Sequence, residues 1–139
     1  IHLGIDPEFA MKNGRKPGEY IGTLDASEIN NVIAILSKVV NENNLPPKVL
    51  VIHRFTHNMV TNYQNIRPTK EVQVVMQMDG WGTPELKTAI YRQIVTSEPV
   101  QFTGIKIFYK NDLRAPSTRL LTPKEILDWN PRPSYVQYQ

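Results

Sequence analysis

Five short apolar runs, each cut off by polar side chains, constrain this chain more than any other feature of its sequence. Ile1 to Ile5 stops at Asp6-Pro7-Glu8, Val49 to Ile52 at His53-Arg54, and Val72 to Met76 at Gln77-Met78-Asp79. Ile105 to Phe108 stops at Tyr109-Lys110, and Tyr135-Val136 at Gln137-Tyr138-Gln139. Continuous apolar runs of this length suit buried strands of a parallel sheet. Helix-start signals stand between them: Asp25 with Glu28 three residues on, Thr83-Pro84-Glu85, and Thr122-Pro123-Lys124-Glu125. Strand, helix, strand in repetition means right-handed crossovers and a parallel sheet, so the polar ends gather on the edge where α/β proteins place their sites.

Ile29, Val32, Ile33, Leu36 and Val40 recur at helical spacing after Asp25, and Asn43, Asn44, Pro46 and Pro47 end that helix. A second helix is expected over Asn58 to Ile66. A third follows Thr83, with Leu86, Ile90 and Ile94 as its apolar stripe, and a short one runs from Thr122 to near Trp129. Phe9 to Leu24, with three glycines and a proline, reads as a long irregular segment, a length that in compact domains tends to mean a functional lid or disorder.

Five strands are too few for a closed (β/α)8 barrel of about 250 residues. The expected fold is therefore α/β with parallel β/α repeats, the C-terminal portion of a TIM-barrel-like fold, and the alternative is a five-stranded doubly wound sheet. Residues 1–139 are read as a single β/α domain or part of a larger barrel domain. The chain enters a strand at once from Ile1 without an initiator methionine, which reads as a processed or truncated piece. A half-barrel would leave strand edges to be covered by a preceding segment or by self-association.

Composition removes several functional classes. The formal charge of +3 comes from scattered Lys and Arg with no dense basic run, so nucleic acid is not an expected partner. No apolar stretch reaches the roughly 20 residues of a transmembrane helix. The absence of cysteine excludes disulfides, thiolate chemistry and Cys-ligated zinc. Phosphate loop, dinucleotide fingerprint, nucleophile elbow and HExxH are all missing, and no cofactor is expected.

The strand ends supply the candidate chemistry. Asp6 and Glu8 flank a proline that stiffens the backbone, and paired carboxylates at such a place can serve as general acid and base, as nucleophile and acid, or as metal ligands. Asp79 adds a third carboxylate beside Gly80-Trp81-Gly82; a carboxylate next to an exposed indole is a common carbohydrate-binding pair, and capping of the turn is the equal alternative. His53 and His57 are four apart but fall on a strand end and a turn, a weak metal pattern, and no metal is assigned. Arg54 reads either as a ligand positioner or as a carboxylate's partner. With a period of two along each strand, Gln77, Asp79, Tyr109 and Gln137 are taken as the inward-facing set.

Ile1-His2-Leu3-Gly4-Ile5-Asp6-Pro7-Glu8-Phe9, Pro17-Gly18, Ile21-Gly22-Thr23-Leu24-Asp25-Ala26 and Asn44-Leu45-Pro46-Pro47-Lys48-Val49-Leu50 together resemble a family of exported bacterial proteins. Val51-Ile52-His53-Arg54-Phe55, Val75-Met76-Gln77-Met78-Asp79-Gly80-Trp81-Gly82 and Val136-Gln137-Tyr138-Gln139 continue the resemblance over nearly the whole chain. It implies a lipoprotein or secreted protein, outside the cytoplasm, with a barrel related to glycoside hydrolases whose remaining strands come from an upstream segment. The Asp-Pro-Glu at 6 to 8, His53 and Asp79 match that family's strand-end positions; His57 does not.

The expected function is that of a carbohydrate-active hydrolase. Asp6, Glu8 and Asp79 are its catalytic carboxylates, and His53, Arg54, Gln77, Trp81, Tyr109 and Gln137 hold a carbohydrate or cell-envelope polymer. The alternatives are a metal-dependent polysaccharide deacetylase-like hydrolase built on Asp6, His53 and His57, and a non-catalytic glycan-binding or cell-envelope protein.

Overall fold

The computed structural model describes residues 2–12 and 14–139. Its centre is a five-stranded parallel sheet made of β1 (Leu3–Ile5), β3 (Lys48–Arg54), β5 (Val72–Met78), β6 (Phe102–Ile107) and β7 (Tyr135–Tyr138). Spatial order follows chain order, β1-β3-β5-β6-β7, with every pairing parallel. A doubly wound sheet has a reversal of strand order, and the described strands show none. Each crossover therefore returns on the same side, and the sheet curls as half a barrel does.

Register separates the two faces. Leu50, Val74, Ile52, Met76, Ile105 and Ile107 share one face and are essentially fully buried. Against it pack Ile29 and Ile33 of helix α1 (Ala26–Glu42), Tyr91 and Val95 after helix α2 (Pro84–Ile90), and Ile126 of helix α3 (Pro123–Leu127). Each such aliphatic side chain contributes roughly 1.5–3 kcal/mol by leaving water. The opposite, concave face carries Val49, Val51 and His53 of β3 level with Gln73, Val75 and Gln77 of β5. Apolar continuity is thus explained by helices on one face and a valine-lined hollow on the other.

The helix starts follow their local chemistry. Asp25 accepts from the Ser27 N–H at 3.0 Å while Glu28 accepts from the Asp25 N–H at 2.8 Å, closing a capping box on α1. Thr122 and Glu125 do the same for α3, and Thr83 caps α2 with Pro84 in its first turn. Beyond Ile90 the α2 backbone widens into a π turn over Tyr91–Val95.

Two expectations fail. Asn58 to Ile66 is not a helix: 3-10 turns at His57–Met59 and Tyr63–Asn65 flank the two-residue strand β4 (Val60–Thr61), which pairs with β2 (Leu24–Asp25). Two β-branched residues favour extension there, Asn62 takes the left-handed conformation at φ 54°, and Asp25 accepts hydrogen bonds from Thr61 Oγ1 (2.9 Å) and Asn62 Nδ2 (2.6 Å). The side chain that caps α1 thus also holds this extended turn. On α2, Leu86 is half exposed and Lys87 takes the buried position, 1% accessible.

The Phe9 to Leu24 segment folds back on the end of β1. Gly22 donates to the Glu8 carbonyl at 2.8 Å, and a Cβ at position 22 would stand 2.6 Å from the carbonyl oxygens of Pro7 and Ala10. Only glycine permits that approach, and it fixes the turn that presents Glu8.

Candidate functional site

Two strand ends converge on His53, near the end of a third. Its Nδ1 lies 2.9 Å from Asp6 Oδ1, at the end of β1, and 3.1 Å from Asp79 Oδ2, at the end of β5. Lys106, on β6, reaches Asp79 from the far side, Nζ to Oδ1 at 3.0 Å, as an ion pair without hydrogen-bond alignment. The convergence follows from register: Ile5 pairs with Ile52, so Asp6 comes level with His53, and Asp79 follows Gln77, the partner of His53, by one full period on the concave face.

Burial differs across the group. Asp79 is 9% accessible, the His53 side chain 13% and the Asp6 side chain 35%. Burial is the largest single influence on His53 and disfavours its imidazolium, but the hydrogen bond and charge of Asp79 and the charge of Asp6 outweigh it, and the pKa is raised. The Glu8 carboxyl is also raised, first by burial and then by the charges of Asp6 and Asp79.

These groups open onto a cavity of about 410 Å³ lined by Asp6, Glu8, Asp79 and Lys106 on its polar side and by Phe9, Phe55, Trp81 and Phe108 among its apolar residues. Trp81 is half exposed on the rim, with the Arg114 guanidinium 5.3 Å from its ring centroid. The turn bearing it is locked from beneath by Lys87 and Asp112, each 1% accessible and 3.0 Å apart. Lys87 Nζ donates to the Gly80 carbonyl at 2.8 Å, and Asp112 accepts from the N–H groups of Gly82 (3.0 Å) and Phe108 (2.9 Å).

Behind His53 the concave face holds a second cavity of about 380 Å³, lined by His2, Gly4, Val49, Val51, His53, Tyr135 and Gln137 among others. Gln77 is fully buried and donates to Gln137 at 3.2 Å. A larger groove, about 540 Å³, runs between α2 and α3, but its Arg119 and Glu125 satisfy each other at 2.9 and 3.0 Å. The convergent, incompletely satisfied polar groups belong to the smaller cleft.

Asp6, Glu8, Asp79 and Trp81 therefore share one cavity, His53 joins its carboxylates, and Gln77 and Gln137 lie deeper on the same face. Arg54 and Tyr109 do not belong to this group. Arg54 is fully buried on the helix side, donating to the carbonyls of Thr56 (3.2 Å), His57 (2.8 Å) and Val60 (3.2 Å) and pairing with Glu98. It is the structural partner of a carboxylate, one of its two sequence readings, and is out of reach of the cleft. Tyr109 has the parity of Ile107 and stacks on Tyr138 with centroids 5.7 Å apart, away from the concave face. His57 is bound to Glu98 at 2.7 Å, which removes it from the Asp6–His53 pair.

Lys106 was not foreseen, although a lone lysine inside Gly104-Ile105-Lys106-Ile107 is a sequence signal for a buried, partnered charge. Phe9, Phe55 and Phe108 carried no comparable signal. Comparison with family models, with curated proteins and with solved structures finds no match to this chain. No helix among the described residues is long and apolar enough to cross a membrane.

Proposed function

We propose that the cleft at the C-terminal strand edge is the active site of a glycan hydrolase. The observation that carries this reading is the single cavity shared by Asp6, Glu8, Asp79 and Trp81. Carboxylates on one side and aromatic rings on the other suit a sugar, whose hydroxyls need acceptors and whose C–H faces pack on rings.

The three carboxylates have different surroundings, and so different parts. Asp79 is pinned by Lys106 and His53, which suits it to hold charge in place rather than to attack. Glu8 lines the cavity in a half-buried place near two other carboxylates, the environment of a general acid that protonates a leaving glycosidic oxygen. Asp6 is the most accessible of the pair that binds His53 and serves as base or nucleophile.

The test is release of reducing sugar from a panel of bacterial envelope and plant polysaccharides. Glu8→Gln is expected to lower kcat by about 10²–10⁴-fold, the usual contribution of a positioned acid, with glycan binding retained. Turnover equal to wild type in both Glu8→Gln and Asp6→Asn would remove these residues from catalysis. Binding of glycan without turnover in wild type would instead leave a non-catalytic module.

A further inference from the structure

Asp6, His53 and Asp79 present three donor atoms from three strands, all within 4.8 Å of one another. We propose that this trio is a binding site for a divalent transition-metal ion, zinc by preference, held by Asp6 Oδ1, His53 Nδ1 and Asp79 Oδ2. The donor set is one imidazole nitrogen with two carboxylate oxygens, which suits zinc or manganese better than the all-oxygen shells of calcium and magnesium.

The two contacts to the imidazole are already near the spacing an ion needs, and the three donor atoms lie within 4.8 Å of one another. Metal–ligand bonds of about 2.0–2.2 Å in a tetrahedral shell put neighbouring ligands about 3.4 Å apart. The nitrogen now stands 2.9 and 3.1 Å from the two oxygens, so each contact needs to open by only a few tenths of an ångström. A single nitrogen pointed at two carboxylates is the placement an ion would replace. Lys106 contacts the other oxygen of Asp79, Oδ1, and so orients that carboxylate without occupying the ligand atom.

Two further features favour an ion over a plain ion-pair cluster. Gln77 stands level with His53 in the β3–β5 register, is fully buried, and its Oε1 accepts no hydrogen bond among the described residues. Beside His53 it offers a free acceptor of the kind that an ion-bound water uses. Two of the three ligands also line the 410 Å³ cavity, which leaves a coordination position open to solvent or to sugar hydroxyls. Ion binding replaces the base or nucleophile role given to Asp6 above, since one carboxylate cannot be both ligand and nucleophile. With the ion bound, Glu8 remains as the acid in the cleft.

This site stands apart from whether the cleft hydrolyses glycans, because ion binding is measured without substrate. The chelator-treated protein, titrated calorimetrically with zinc chloride and separately with manganese and calcium chloride, is expected to bind one transition-metal ion and to melt at a higher temperature. His53→Gln, Asp79→Asn and Asp6→Asn are each expected to weaken binding by at least tenfold, and His57→Gln to leave it unchanged. Asp6 is the least buried of the three, so its variant reports even if the two more buried ones fail to fold. Nitrogen and oxygen ligation in the visible spectrum of the cobalt-substituted wild type supports the site without any variant. No binding at millimolar zinc or manganese, or binding equally tight in Asp6→Asn and lost in His57→Gln, overturns it. In either of those cases a metal-free hydrolase remains testable through Glu8→Gln.

Discussion

Asp79 holds two partners at once, His53 on one carboxylate oxygen and Lys106 on the other, while remaining nine-tenths buried. An ion so placed is stable only because both neighbours are present, since an unpaired charge at that depth costs several kcal/mol. Trp81 is the opposite kind of residue, a half-exposed ring on the rim whose own fold contribution is small. Trp81→Ala is expected to raise KM roughly tenfold, about 1.4 kcal/mol of binding, with kcat nearly unmoved. A fall in kcat with unchanged KM would place the ring at the reacting bond instead. The sequence placed Asp6, Glu8 and Asp79 at strand ends because apolar runs stop there, and that much is readable from residue order. It did not place Arg54 or Tyr109, because a side chain's face is fixed by register with the neighbouring strand, and a shift of one residue reverses it.

Elements meet the cleft through a buried knot. Lys87 of α2 and Asp112 of the turn after β6 pair at 3.0 Å and together hold Gly80, Gly82 and Phe108 by their backbones. Burial is the first influence on the Lys87 ammonium and pulls its pKa down, against the charge of Asp112. Lys87→Met removes one partner and leaves a buried carboxylate, an expected loss of about 3–5 kcal/mol in denaturant unfolding. Lys87→Met with Asp112→Leu should recover part of that loss, and full additivity of the two single effects would show that the pair is not coupled. Neither residue stands out in sequence: Lys87 sits in an amphipathic stretch where a lysine reads as solvent-facing. Helix caps are different. Asp25 with Glu28 and Thr122 with Glu125 act over three residues, so their chemistry is complete within the local sequence.

At the scale of the whole molecule the sheet is curled and open, with β1 and β7 each paired on one side only among the described residues. Amide exchange is expected to follow that asymmetry. The N–H groups of β3, β5 and β6 should exchange only on global unfolding, and those of β1 and β7 faster, through local opening. Equal protection across all five strands in a concentration-independent monomer would contradict an open sheet. Protection of β1 and β7 that grows with protein concentration would mean that a second copy covers the edges. The sequence by itself determined the class of this fold, because strand length, cap chemistry and the β/α alternation are local and repeat along the chain. It also determined which edge of the sheet is polar. Only the tertiary structure decided which polar groups meet, since His53 joins Asp6 and Asp79 across 47 and 26 residues of sequence through the pairing of three strands. The same holds for the helix that Asn58 to Ile66 did not form, where a carboxylate 36 residues away captured Thr61. Local rules reach a few residues. The site is made of contacts that span the sheet, and their energy exists only once it has closed.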